Sequence, residues 1–149
     1  YPKEAKKFID QYFALYKKVK IYMDETVAEA EKLGYTQTMM NRKRYMPDLK
    51  SQNRQVREAA GRVAINSPVQ GSAADLIKLA MIRLAEEIRK KKLKSRMILQ
   101  VHDELVFEVP DIELESLQAI VMVEMESALP LSVPIVVDCG NGKSWFEAH

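Results

Sequence analysis

Apolar residues recur at helical spacing along the first part of the chain. Phe8, Ile9, Tyr12, Phe13 and Tyr16 form one stripe, and Val19, Tyr22, Met23, Val27 and Ala30 a second, so residues 1–33 read as two helices. Pro2 suits the first position of the first helix, and Gly34 is placed to stop the second. The aromatics on these stripes are expected in a core rather than stacked on a ligand. The period then changes: Tyr35-Thr36-Gln37-Thr38 has strand propensity, Asn41 can turn with positive φ, and Arg44-Tyr45-Met46 can return as a second strand before Pro47. A helical pattern resumes over 54–65 through Val56, Ala59, Ala60, Val63 and Ala64. It is expected to end near Asn66-Ser67-Pro68, because the residue before a proline is pushed out of the helical region. A new helix is expected from Ser72 as cap, with Asp75 at capping-box spacing, to about Lys92. It would bury Ala73, Leu76, Ile77, Ala80, Met81, Leu84 and Ile88. Gly71 and its small neighbours allow something bulky to approach the backbone closely.

In the second half, residues 97–109 place two apolar, β-branched-rich runs around the polar trio His102-Asp103-Glu104. This predicts a tight hairpin whose tip presents two carboxylates and an imidazole. From spacing alone the trio reads more readily as a solvated acidic turn than as a site, since Asp is a common turn residue. Against that, arms this apolar imply a buried hairpin whose acidic tip sits on a protein floor. Asp111 is then the expected N-cap of a helix burying Leu114, Leu117, Ile120, Val121 and Met125. Residues 131–139 alternate Val133, Ile135, Val137 and Cys139, which predicts a half-buried strand. Gly140-Asn141-Gly142 forms a turn, and Trp145-Phe146 is expected to anchor the chain end. The fold class is therefore α+β, with helices packed on a small antiparallel sheet.

Composition adds bounds rather than direction. The 149 residues are one domain's worth, and 23 basic against 21 acidic side chains leave a net charge of only +2, so only local clustering can point to a partner. Arg42, Lys43 and Arg44 cluster at the first turn, followed by Arg54, Arg57 and Arg62 among Ser51, Gln52 and Asn53. That recurrence suits a phosphate-contacting surface as readily as a solvated face. The basic run Arg89, Lys90, Lys91, Lys92 and Lys94 is most simply a solvated helix end favoured by the helix dipole. The single cysteine, Cys139, allows no internal disulfide and fits a reducing compartment. No apolar run approaches membrane-spanning length and no signal-peptide pattern opens the chain. The chain opens at Tyr1 rather than a methionine, which suggests a piece of a longer protein.

Leu99-Gln100-Val101-His102-Asp103-Glu104-Leu105-Val106 resembles motif C of the family A DNA polymerases, the bacterial DNA polymerase I family. A second block, running from Arg57-Glu58-Ala59-Ala60-Gly61-Arg62 through Asn66-Ser67-Pro68-Val69-Gln70-Gly71-Ser72 to Lys78, resembles the same family. A third comprises Gly34-Tyr35-Thr36-Gln37-Thr38 and Arg42-Lys43-Arg44-Tyr45-Met46-Pro47-Asp48. The three stand in the family's order at about its spacing, the match continues to Gly142 and Trp145, and the likeness covers essentially the whole chain.

The resemblance implies a template-directed polymerase in which a primer 3′-hydroxyl attacks an α-phosphate and pyrophosphate leaves, with two Mg²⁺ ions as cofactors. Asp103 would be a metal-ligating carboxylate and Glu104 an outer or weaker ligand, both in catalytic roles. His102 would lie by the primer terminus. Gln70 and Asn66 would contact the nascent pair and adjacent template in the minor groove, where acceptors common to all pairs let an amide donor test geometry without reading sequence. Arg62, with Arg44 and Arg57, would hold template phosphates. The implied partners are primer–template DNA and a deoxynucleoside triphosphate, with no membrane. Residues 1–65 would be the end of the fingers with a basic hairpin, and 66–149 part of the palm.

The sequence also departs from the family. The motif A stretch that supplies the second metal-binding aspartate, Asp-Tyr-Ser-Gln-Ile-Glu-Leu-Arg-like, is absent; Ile112-Glu113-Leu114 matches three of its letters but lies downstream. The lysine-bearing fingers helix is absent too, and both motifs would belong upstream of Tyr1. Gly61 stands where relatives commonly carry Glu. The chain is thus expected to be a C-terminal part of a polymerase, inactive alone. Without a motif A strand, one hairpin edge would be unpaired and open to self-association. The alternative is a noncatalytic DNA-binding or assembly module on the same scaffold, for which Asp103→Ala would be harmless. The default setting is the bacterial cytoplasm about the nucleoid, although phage and organellar members share these motifs.

Overall fold

Gly34 and Asn41 set the first turns of the chain. In the computed structural model, which describes residues 2–148, α1 (Pro2–Leu15) and α2 (Lys17–Leu33) precede Gly34, whose φ of 79° carries the left-handed cap. The Gly34 N–H donates to Ala30 O at 2.8 Å, closing α2. β1 (Tyr35–Gln37) and β2 (Lys43–Tyr45) then pair antiparallel, Tyr35 opposite Tyr45 and Gln37 opposite Lys43. Asn41 turns the chain between them at φ 62°. Behind these elements lies a small core of Ala30, Met46, Leu49, Ala60 and Ala64, with Val27 packed on it.

The expected burial of the α1 stripe does not occur. Phe8 is 71% exposed, and Ile9, Tyr12 and Tyr16 are each half exposed or more; only Phe13 is half-buried. Tyr12 instead meets its chain neighbours Phe13, edge-on, and Tyr16, at a tilt, at centroid distances of 5.4 and 4.9 Å. The core of this unit is instead built from Ala30, Ala60 and Ala64 with Met46 and Leu49, and none of the α1 stripe belongs to it. Tyr1, assigned to this helix by its sequence, lies outside the described residues.

The largest departure concerns Pro68. A single helix, α3 (Arg54–Lys90), runs straight through it instead of breaking there. Proline removes one intrahelical hydrogen bond and crowds the preceding turn, at a cost of about 3 kcal/mol in an unsupported helix. Here Ser67 Oγ donates to Val63 O at 2.7 Å, and Ser72 Oγ donates to Pro68 O at 2.6 Å. Ser72 is accordingly a mid-helix residue and not a cap, and Ala73 is exposed. Further along, Lys92 adopts φ 55° while Leu93 N–H donates to Ile88 O at 3.0 Å, a left-handed stop that usually uses glycine.

The chain divides into two compact units, the first ending at Ser72 and the second beginning at Ala73. In the second, β3 (Arg96–Val101) and β4 (Glu104–Glu108) form a two-stranded antiparallel sheet, followed by α4 (Leu114–Glu126). Its core joins Ile77, Ala80 and Leu84 of α3 to Leu117, Val121 and Met125 of α4 and to Ala128. Met97, Leu105 and Phe107 of the sheet pack on that core. The α+β class is as expected.

Three local expectations fail in this unit. Residues 131–139 form no strand; Pro130 and Pro134 remove two donors, and the Val137 N–H donates to the Glu126 carboxylate at 3.2 Å instead of to a ladder. Ile135 and Val137 are half-buried, while Val133 and Cys139 are exposed. Asp111 does not cap α4. It opens a short 3-10 turn, and Glu113 occupies the capping position while its carboxylate reaches back to accept from Lys94 N at 3.0 Å, Ser95 N at 2.9 Å and Ser95 Oγ at 2.6 Å. These bonds, that from the Lys94 backbone foremost, hold the Glu113 carboxyl below the usual carboxylate range. Trp145 and Phe146 lie in a short α5 (Trp145–Ala148) and are 48% and 93% exposed, so neither is the buried anchor expected.

Gly61 provides a stability test. A Cβ there would meet only Val27 Cγ2, at 4.0 Å. Gly61→Ala is expected to raise the unfolding free energy by about 0.5–1 kcal/mol through helix propensity and the added contact. A thermal or urea midpoint lower than that of the parent chain would contradict it.

Candidate functional site

The first candidate site is the turn between β3 and β4. Val101 pairs with Glu104, leaving His102 and Asp103 as a two-residue connection. Such short turns require positive φ, normally supplied by Gly, Asn or Asp. Here His102 adopts it, at φ 54°, and Gln100 Nε2 donates to His102 O at 2.8 Å across the turn. A non-glycine residue in this region is a local strain held by its surroundings. Asp103 and His102 are exposed, and Glu104, the first residue of β4, is half-buried.

The hairpin is less deeply set than its apolar arms suggest. The register shifts between Met97 and Leu99, so Ile98 is an inserted residue, and Ile98 and Leu99 are 57% and 47% exposed. Only one side rests on the core, through Met97, Leu105 and Phe107. A bulge of this kind bends the strand and re-aims the residues beyond it.

The second candidate site lies on α3 within the first unit. Because the helix continues through Pro68, Arg62, Asn66 and Gln70 stand four residues apart on one exposed face. At 3.6 residues per turn the three span about 80° of the helix circumference. Ala60, Ala64, Ser67 and Gly71 lie on the reverse side; the first three are buried and Gly71 is half-buried. Arg57 is not brought to the exposed face. It stands about 140° from Arg62 around the axis, and its Nη1 donates to Ser51 O at 2.7 Å. Arg44, on β2, donates to Ser67 Oγ at 3.2 Å. Both remain exposed and able to meet a phosphate, but each is tied into the local fold. Nearby, the Arg54 guanidinium, bonded to Glu58 at 2.7 Å, holds that carboxyl below its ordinary range.

Hairpin residues that the sequence did not connect with this helix also converge on it. Met39 N–H donates to Ser72 Oγ at 2.9 Å, Arg42 Nη2 donates to Gly71 O at 3.0 Å, and Thr38 lies against Gly71. The only sequence signal for this was the small-residue run after Pro68.

The fold is that of a fragment of an α+β polymerase domain: it superposes on part of a solved structure, the POL domain of Pol1 from M. smegmatis in complex with DNA primer-template and dNTP, with a TM-score of 0.97 and 49% identity over 99% of this chain. The chain belongs to DNA polymerase family A, whose family model matches residues 1–147. It is 51% identical over 146 residues to DNA polymerase I of Bacillus subtilis and 52% identical over 145 residues to that of Mycobacterium leprae. The matches take in 98% and 97% of this chain but only 17% and 16% of those relatives. Of the solved M. smegmatis chain, 26% is covered. Among the described residues no helix is long and apolar enough to cross a membrane.

Proposed function

We propose that this chain carries part of a template-directed DNA polymerase that extends a primer 3′-hydroxyl with deoxynucleoside triphosphates. The observation that carries the reading is the His102-Asp103-Glu104 turn, a carboxylate pair on a strained hairpin tip at the position of the family's motif C. In this reading residues 1–65 belong to the end of the fingers and 66–149 to the palm. Relatives named DNA polymerase I are bacterial, which supports a bacterial cytoplasmic setting.

Mg²⁺ takes hard oxygen ligands and is commonly held by one or two carboxylates, with waters and substrate phosphates completing its shell. The exposed Asp103 carboxylate and the half-buried Glu104 fit that donor chemistry. Among the described residues no group of three or more His, Cys, Asp or Glu side chains gathers into a cage, so the turn offers a partial shell. Bound there, divalent ions would lower the pKa of the attacking hydroxyl and stabilise the leaving oxygens. Asp103 would be the direct ligand and Glu104 its weaker neighbour, with His102 contacting the primer terminus. Asn66 and Gln70 would donate to minor-groove acceptors of the nascent pair and adjacent template. Arg62, and at the margin Arg57 and Arg44, would neutralise template phosphates and supply sequence-neutral affinity. β3 and β4 pair only with each other among the described residues, which supports strand addition from a second copy at an open edge.

Primer extension tests the reading. The intact gene product carrying this chain is expected to extend a primer with Mg²⁺ present, whereas the 149 residues purified alone are expected to bind primer–template weakly and add nothing. An intact product that binds primer–template without extending it would leave a binding module as the function. Extension by the 149 residues alone, lost on Asp103→Ala, would overturn the partial-site reading.

A further inference from the structure

We propose that the β1–β2 hairpin is a positioning clamp: it grips the reverse face of α3 at Ser67, Gly71 and Ser72 and so sets how Asn66 and Gln70 present their amides. The inference rests on the reading of those two residues as minor-groove contacts.

Asn66 lies two residues before Pro68 and Gln70 two residues after it. At Pro68 the helical ladder lacks one bond, so the pitch and rotation that relate the two amides are softer there than elsewhere in α3. The hairpin holds both sides of this weak point. Before it, Arg44 Nη1 donates to Ser67 Oγ at 3.2 Å, and that hydroxyl donates on to Val63 O at 2.7 Å. After it, Met39 N–H donates to Ser72 Oγ at 2.9 Å, and that hydroxyl donates to Pro68 O at 2.6 Å. Arg42 Nη2 donates to Gly71 O at 3.0 Å. A chain of bonds thus runs from the hairpin backbone through Ser72 to the carbonyl of the proline itself.

The fit is also steric. A Cβ built on Gly71 would lie 2.6 Å from Thr38 Cγ2. Thr38 is buried and β-branched, so it has no free rotamer into which to retreat. Any side chain at Gly71 must therefore push the hairpin away from the helix. The close approach foreseen at Gly71 is made by the protein's own hairpin.

Two amides that test the shape of a base pair work only if held to a fraction of an ångström. Loosening the clamp should therefore weaken discrimination between matched and mismatched nucleotides more than affinity for DNA. In the intact gene product, Gly71→Ala is expected to lower the ratio of matched to mismatched incorporation about tenfold while changing the primer–template Kd less than about twofold. Adding Thr38→Ser removes Cγ2 but keeps the hydroxyl that accepts the Arg42 N–H at 3.2 Å, and should restore the ratio. Ser72→Ala adds no atoms and should lower the ratio similarly, with Ser72→Thr restoring the hydroxyl and the ratio. If Gly71→Ala does not fold, this pair decides.

Gln70→Ala separates the two claims. If it leaves discrimination unchanged, the minor-groove reading fails. If it lowers discrimination while Gly71→Ala and Ser72→Ala do not, only the clamp fails. On a Gln70→Ala background the clamp variants should have little further effect, because they act through that side chain. A loss of equal size on both backgrounds, or no recovery with Thr38→Ser or Ser72→Thr, would mark these residues as merely structural and overturn the proposal.

Discussion

Asp103→Asn in the intact gene product is expected to lower the single-turnover rate of nucleotide addition by about a thousandfold or more. The substitution keeps the size of the side chain and its ability to accept a hydrogen bond in the turn. It removes the negative charge, and a neutral amide oxygen is a poor ligand for Mg²⁺, which prefers carboxylates and phosphate oxygens. Asp103 is exposed at the hairpin tip, so little folding energy should depend on it. Primer–template binding should be unchanged or tighter, since one negative charge is removed from a surface read as facing DNA phosphates. Glu104→Gln should cost less in rate, because that residue is half-buried and begins a strand. Rapid-quench measurement at saturating nucleotide decides the matter. A rate for Asp103→Asn within about tenfold of the parent would remove the turn from the chemistry.

Leu84→Ala is expected to destabilise the second unit by about 2–5 kcal/mol, the range for truncating a buried leucine when its surroundings collapse only partly. Leu84 has no exposed surface and is the only large side chain among the described residues to be so completely enclosed. Its neighbours in the core include Ile77, Ala80, Leu117, Val121 and Met125, held on two helices that leave little freedom to close the gap. Small domains are commonly stable by about 5–15 kcal/mol, so the loss could consume a third or more of the total. The hairpin rests on the same core through Met97, Leu105 and Phe107, and its amides should therefore lose hydrogen-exchange protection together with those of α4. Urea denaturation of the 149-residue chain supplies the number, and a change below about 1 kcal/mol would show that the site is not tightly packed.

Several features of the fold were legible because they depend on neighbours in the chain. Gly34 and Asn41 were readable as positive-φ positions, and both are. Apolar periods marked the helical segments and the second hairpin, and strand propensity about Asn41 marked the first. The positive φ at His102 was not readable, because the usual residue for it in that tight turn is its neighbour Asp103, and histidine rarely adopts it. The strand expected over 131–139 was half right as a burial pattern, with Ile135 and Val137 partly covered, and wrong as a ladder. Alternation reports which side chains can be covered, whereas a strand also needs a neighbouring backbone to bond.

By itself, the sequence determined the α+β class, the two hairpins, the acidic turn and, through three blocks in register, the family. Each rests on local preferences for φ and ψ or on residue identity, neither of which needs the fold to be known. Tertiary structure decided the rest. It covered none of the α1 stripe with a deep core, and it carried α3 through Pro68, with the β1–β2 hairpin bonded to Ser67, Gly71 and Ser72 on either side of the proline. That continuity aligns Arg62, Asn66 and Gln70 on one face. Local sequence could only announce a break there, since the contacts that flank the proline come from residues about thirty positions earlier in the chain.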